Sequence, residues 1–147
     1  MEQYRTFCTF RVSSLLLGVE VKRVQEVIRQ QKMTRVPGTG AAVCGLMNLR
    51  GRLVTALDLR HCLGLPCEGE SPPLLNVVVR TRDELVSFMV HGIGDVRVVD
   101  GSLFEEPPET LAESARRLIR GVYKLNSGLL MILDTDAVLA ATEPVPV

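Results

Sequence analysis

The sequence predicts a mainly β protein made of two pseudo-symmetric, small five-stranded β-barrels packed together, with short helices between strands. Three observations predict it. The chain repeats itself internally, and its apolar runs are short and punctuated by turn residues. Its 147 residues are also 46% hydrophobic but only 4% aromatic, with no Trp. Val and Leu must therefore fill the core, and β-branched Val suits strands. The length fits one ordinary domain with a real core.

Self-similarity at a fixed spacing marks a repeated structural unit. Gly45-Leu46, Leu49, Leu53-Val54, Ala56-Leu57-Asp58 and Leu63 recur 76 positions later as Gly121-Val122, Leu125, Leu129-Leu130, Ile132-Leu133-Asp134 and Leu139. A weaker echo at 69 positions relates Arg11 to Arg80 and Leu16-Leu17 to Leu85-Val86. It also relates Val24-x-Glu26-Val27 to Ile93-x-Asp95-Val96. The growth of the offset by seven calls for an insertion, and the stretch 104–117 with Pro107-Pro108 is the natural place. One barrel subdomain is expected over about 8–65 and the other over about 74–140.

Taken in order, residues 9–12 and 15–21 read as strands about a Ser13-Ser14 turn. Val24, Val27 and Ile28 follow at helical spacing, which leaves Glu26 off the apolar stripe. Pro37, Gly38 and Gly40 break the chain, and 38–43 reads as a loop entering a short helix. Residues 53–59 read as a strand buried on both faces. In the second half, 75–80 and 85–91 flank a charged turn at 82–84, 96–99 is a further strand, and Gly128 precedes the strand 129–133. Short strands with regular turns indicate small barrels rather than an open parallel sheet. Packing two together protects edges that neither could cover alone.

Several kinds of chemistry find no support. Gly38-Thr39-Gly40-Ala41-Ala42-Val43 departs from a dinucleotide loop at its last position and leads into no long parallel unit. No Gly-Lys-Ser/Thr phosphate loop occurs. A Ser or Cys nucleophile needs a base, and His61 and His91 are the only histidines. Cys8, Cys44, Cys62 and Cys67 form no Cys-x-x-Cys pair and read as reduced thiols. The set His61, Cys62, Cys67 and His91 matches no zinc spacing, so neither metal nor other cofactor is expected. Apolar runs are far too short to span a bilayer and the N-terminus carries no export pattern, so a cytosolic protein without direct membrane insertion is expected.

Net charge is zero, but residues 1–65 carry +6 and residues 66–147 carry −6. Such asymmetry suggests surfaces of different character and two partners, or is a chance difference between half-domains. The basic first half would suit a nucleic-acid binder, yet four Phe and two Tyr make poor stacking platforms. The segment Asn48-Leu49-Arg50-Gly51 stands out as a type I turn in which Asn48 bonds its own backbone and Arg50 projects from a rigid base. The same pattern also suits a solvated Arg in a loop.

At these residues the chain resembles the CheW-like domain family. The resemblance is carried by the run Gly45-Leu46-Met47-Asn48-Leu49-Arg50-Gly51-Arg52-Leu53-Val54 and by Leu57-Asp58-Leu59-Arg60. Val24-Gln25-Glu26-Val27 and Thr34-Arg35-Val36-Pro37 fit in order, as do Val90-His91-Gly92-Ile93-Gly94-Asp95-Val96, Ile119-Arg120-Gly121-Val122 and Leu129-Leu130-Met131-Ile132-Leu133-Asp134. The likeness runs from about Tyr4 to Ala140, with Ala56 where the family usually has Pro and His91 where it usually has Asp.

The resemblance implies a two-barrel, non-enzymatic adaptor that couples the cytoplasmic tip of methyl-accepting chemoreceptors to the regulatory domain of a CheA-type histidine kinase. It would be recruited to the inner membrane face through the receptors. It implies a receptor surface including Val24, Glu26, Gly45, Asn48, Arg50 and Gly51, with Glu26 and Arg50 paired across a groove and Gly45 admitting close helix approach. The implied kinase surface includes Ser87, Ile93 and Asp95, with His91 nearby. Two other readings stand beside this one. The first is a CheW-like module in a non-chemotaxis kinase pathway or a one-sided inhibitor, which His91 alone would favour; the second is a small-barrel nucleic-acid binder.

Overall fold

The computed structural model describes residues 3–142 apart from Gln30, Cys67, Glu68, Glu70 and Asp83, so Cys67 and the centre of the expected 82–84 turn lie outside the described residues. The first hairpin forms where the sequence placed it. β1 (Tyr4–Val12) and β2 (Leu15–Glu20) pair antiparallel with Val12 opposite Leu15, and Ser13 turns the chain at φ +53°. Then follow β3 (Val24–Ile28), β4 (Val43–Leu49), β5 (Arg52–Asp58), β6 (Leu75–Arg80) and β7 (Leu85–Val90). The chain continues through β8 (Gly92–Asp100), β9 (Ile119–Leu125) and β10 (Gly128–Leu133). Among the described residues three short α-helices, α1 (Leu59–Cys62), α2 (Glu113–Arg116) and α3 (Thr135–Thr142), lie between or after strands.

The strands form two five-stranded mixed sheets, ordered β8-β1-β2-β10-β9 and β3-β6-β7-β5-β4. The second order is the first with every strand replaced by its repeat equivalent. The repeat even holds at the level of register: Phe7 faces Glu20 as Asn76 faces Met89, and Leu46 faces Thr55 as Val122 faces Met131. Connectivity corrects the expected subdomain limits. Each sheet takes two strands from one half of the chain and three from the other, so neither 8–65 nor 74–140 builds a barrel alone. The cause is the parallel pairing of β2 with β10 and β5 with β7. Parallel partners need a long crossover and must come from distant chain. The +6 and −6 halves are consequently interleaved in both sheets.

Each sheet is drawn toward closure by one isolated bridge. Thr34 and Leu46 exchange two backbone hydrogen bonds of 2.8 Å, and Glu105 and Val122 exchange two of 2.9 and 2.8 Å. Glycine makes both possible. A Cβ on Gly45 would lie 2.7 Å from the Thr34 carbonyl oxygen, and one on Gly121 would lie 2.5 Å from the Glu105 oxygen and collide with the Cζ edge of the Phe104 ring. Between the sheets lies the main core, with Phe10, Leu17, Leu57, Val77 and Phe88 fully buried. A smaller cluster around Phe7, Tyr123 and Ile132 fills the first sheet, and Met47, Val54 and Val78 fill the second.

Four local expectations are corrected. Residues 24–28 form a strand, because a β-bulge between Val24 and Glu26 lets Val24 and Val27 face Val79 and Val77 on one side of β6. That extra residue reproduces the i, i+3 spacing of a helix. The equivalent bulge in β8 sets Ile93 and Val96 opposite Phe10 and Cys8, so that strand begins at Gly92 rather than at residue 96. β5 is largely buried on both faces from Val54 onward, but Leu53 at the hairpin end is 70% exposed, and Leu59 starts α1 instead of ending the strand. The loop over 38–43 runs directly into β4 without a helix.

Candidate functional site: docking surfaces

The β4–β5 hairpin carries Arg50 on the two-residue loop Arg50-Gly51, since Leu49 pairs with Arg52. Both loop residues have positive φ, +52° and +86°, which makes this a type I′ turn instead of the expected type I. The type I′ twist matches that of the flanking strands. Asn48 does bond its own backbone, its Oδ1 accepting from Gly51 N–H at 2.8 Å. An L-residue in this left-handed region costs roughly 1–2 kcal/mol, so Arg50 is a strained residue held on a stiff base.

From that base Arg50 reaches across to β3, where its Nη1 donates to Glu26 Oε2 at 2.5 Å. The Glu26 hydrogen bond, then its charge, push the Arg50 pKa up. The Arg50 side chain is 71% exposed while that of Glu26 is 20% exposed. Glu26 Oε1 is shut off from solvent and accepts no hydrogen bond from the described residues. Val24 on the same strand is half-buried against the main core. Five of the residues implied as receptor-binding, Val24, Glu26, Asn48, Arg50 and Gly51, thus cluster around one hairpin and one edge strand. Gly45 does not join them. It is buried, and the close approach it permits is that of the chain's own Thr34.

The implied kinase surface divides similarly. Ile93 is 46% exposed and Asp95 is exposed on edge strand β8, beside Val96 and Val98 at 59% and 63%. Ser87 is fully buried in β7, its Oγ donating to Asn76 Oδ1 at 2.8 Å, and cannot touch a partner in this fold. It lies there because β7 is the middle strand of its sheet and both faces are covered. Sequence reasoning missed the exposed apolar strip that Val96 and Val98 form with Tyr4. Alternation along β8 hinted at it, but only the cross-strand pairing of β1 with β8 gathers these residues.

His91 has an internal role. Its Nδ1 accepts from the Ser13 backbone N–H at 2.9 Å, so Nε2 carries the proton and donates to the Ser71 carbonyl at 2.9 Å. The ring ties the β1–β2 turn to the β7–β8 junction. An Asp here could offer the same acceptor. Replacing His91 with Ala should therefore cost about 1–2 kcal/mol, while His91→Asp should cost less than half as much. Denaturant melts of the two variants check this.

Asp58 and Arg60 form a buried pair at the start of α1. Asp58 Oδ1 accepts from Arg60 N–H at 2.9 Å and Oδ2 from Nη2 at 3.0 Å. Burial, followed by the Asp58 charge, pushes the Cys62 thiol up to about 12 and the Cys44 thiol to about 11. At neutral pH neither is a thiolate, and thus neither is a nucleophile. Among the described residues no three His, Cys, Asp or Glu side chains converge as metal ligands would, and no helix is long and apolar enough to cross a membrane.

The CheW-like domain matches residues 6–143. The chain belongs to that family. It is 33% identical over 130 residues to the chemotaxis protein CheW of Bacillus subtilis, covering 88% of this chain and 83% of the relative. It is 27% identical over 138 residues to CheW of Helicobacter pylori, covering 94% and 83%. The crystal structure of the scaffolding protein TtCheW from Thermoanaerobacter tengcongensis superposes with a TM-score of 0.79 at 22% identity, covering 88% of each chain, which shows the same fold. This CheW-like protein is accordingly a non-enzymatic scaffold of chemotaxis signalling that couples receptors to CheA.

Proposed function

We propose that the Glu26–Arg50 face docks the cytoplasmic tip of a chemoreceptor, and that the β8 rim with Ile93 and Asp95 docks the regulatory domain of a CheA-type kinase. Recruitment through the receptor would hold the protein at the inner membrane face. The observation that carries the receptor assignment is the half-satisfied carboxylate of Glu26, fixed by Arg50 with Oε1 screened from water and bonded to none of the described residues. A buried acceptor without a donor costs roughly 1–3 kcal/mol, and a docking helix that displaces the exposed Arg50 side chain would open Oε1 to its own N–H or O–H and relieve that cost. The exposed pair adds little energy itself; it fixes the shape that a helix must fit.

The kinase side rests on different support. Edge strand β8 exposes Ile93, Val96 and Val98 together with a carboxylate, an apolar strip of the kind partners cover. Holding both partners on one rigid body raises the effective concentration of each for the other. No chemistry by the scaffold is needed.

Arg50→Glu places two carboxylates together and should weaken receptor capture at least tenfold while CheA binding stays within about twofold. Ile93→Glu should show the reverse. Pull-down of each purified partner, with melting curves as a control, separates the outcomes. Retention of both interactions in Arg50→Glu would sink the groove assignment.

A further inference from the structure

Inside the first sheet, at its mouth, lies a cavity of about 440 Å³. Its floor is Phe7, Tyr123 and Ile132, Phe104 forms one wall, and the rim carries Arg5, Arg120 and Glu20. Tyr123 stacks at tilted angles between Phe7 and Phe104, with ring centres 5.8 and 5.3 Å away. It is only 4% exposed, and its hydroxyl makes no hydrogen bond among the described residues. Burial pushes its phenol pKa up, and the charges of Arg5, Glu20 and Asp100 all reach it.

Rim charge is positive in effect. Lys22 lies 3.3 Å from Glu20 and offsets it. Arg120 meets Asp134 only at 3.9 Å, and Arg5 makes no ion pair among the described residues. The cavity is not a by-product of the repeat. At the equivalent mouth of the other sheet, Arg5, Glu20, Arg120 and Tyr123 are replaced by Leu74, Met89, Cys44 and Met47, and Phe7 by Asn76. There Met33 and Met47 pack over Val54, Val78 and Leu85. One mouth is thus filled by Met, and the other is an aromatic pocket rimmed by cations.

We propose that this cavity binds a small aromatic anion, its rings against Phe7, Phe104 and Tyr123 and its carboxylate or sulfonate between Arg5 and Arg120. An apolar concavity of this size with few convergent polar groups is the usual form of a small-molecule site. The Tyr123 hydroxyl supplies a further donor. Occupancy would press on Phe104, the residue next to the Glu105 bridge that closes the sheet.

The probe is 8-anilinonaphthalene-1-sulfonate, titrated into the 147-residue chain under conditions where it melts cooperatively, which excludes dye uptake by a loosened core. One saturable site per chain is expected. With no Trp and two Tyr in the chain, energy transfer to the dye should be lost in Tyr123→Phe and kept in Tyr4→Phe. The double variant Arg5→Gln/Arg120→Gln should bind the sulfonate at least tenfold more weakly. Neutral N-phenyl-1-naphthylamine, which keeps the rings but lacks the anion, should change less than twofold. Amide shifts of the unaltered protein should concentrate at Arg5, Glu20, Gly101 and Tyr123. Absence of saturable binding, shifts elsewhere, or a sulfonate affinity untouched by loss of both arginines would each overturn the proposal. Receptor and kinase capture are separate readouts, so the docking assignment stands or falls independently.

Discussion

Replacing Asp58 with Ala should destabilise the protein by about 3–5 kcal/mol, the usual cost of stripping one member from a buried ion pair. For a chain of this size that is a drop of roughly 10 °C or more in melting temperature. The side chains of Asp58 and Arg60 are 8% and 9% exposed, and the carboxylate meets the guanidinium through both oxygens. Without it the buried guanidinium loses both of these bonds and the charge nearest to it in sequence. The same change removes the hydrogen bond to Arg60 N–H that starts α1, worth about 1 kcal/mol as a helix cap.

The repeat supplies an internal control. Asp134 stands at the equivalent place, with its N–H bonded to Leu118 as that of Asp58 is bonded to Ala42. Its Oδ1 likewise caps a helix by accepting from Ala137 N–H at 3.0 Å. But among the described residues Asp134 meets no buried cation, only the distant and exposed Arg120. Asp134→Ala should therefore cost only the cap, about 1 kcal/mol. Denaturant unfolding of both variants measures the difference. Equal losses would mean that Arg60 swings out to solvent and that the pair contributes nothing beyond capping. Asp58→Leu/Arg60→Met should recover much of the single-variant loss, because burying neither charge is cheaper than burying one.

These aspartates show how much the sequence disclosed. Their identity in the two halves marked them as structurally equivalent, and the offsets of 76 and 69 fix hairpin registers to the residue. Neither offset reveals that the halves trade strands, because parallel pairing between β2 and β10 leaves no local turn signal. Spacing misled at Val24 and Val27, where a β-bulge imitates a helical period. The grouping of Asn48, Arg50 and Glu26 around one hairpin was legible because turn chemistry and motif order converge on them. Ser87 and Gly45 were not placed correctly. A buried Ser bonded to Asn76 and a Gly under a carbonyl look in one dimension like surface residues, and only packing distinguishes them. The aromatic cavity had no signal at all, being assembled from β1, β2, β9, β10 and the segment after β8.

Gly45→Ala and Gly121→Ala should each cost about 2–4 kcal/mol, the sum of overpacking and of damage to a pair of closing hydrogen bonds. The sign is what makes the test informative. Glycine to alanine in a strand ordinarily stabilises by a few tenths to 1 kcal/mol, through lost freedom of the unfolded chain. Here the added carbon at Gly45 would press on the oxygen through which Thr34 accepts from Leu46, and Gly45 also sits at φ +152°, outside the range alanine prefers. At Gly121 the backbone is not in that region, so the cost there comes from Glu105 and the Phe104 ring alone. Gly45→Ala should be the worse of the two for that reason. Hydrogen exchange adds a spatial check: Gly45→Ala should speed exchange at Thr34 and Leu46 while leaving Glu105 and Val122 protected, and Gly121→Ala should do the converse. Melting at or above the parent temperature in either variant would show that the bridge yields at no cost, and that the two glycines owe their places in the repeat to something other than closure of the sheets.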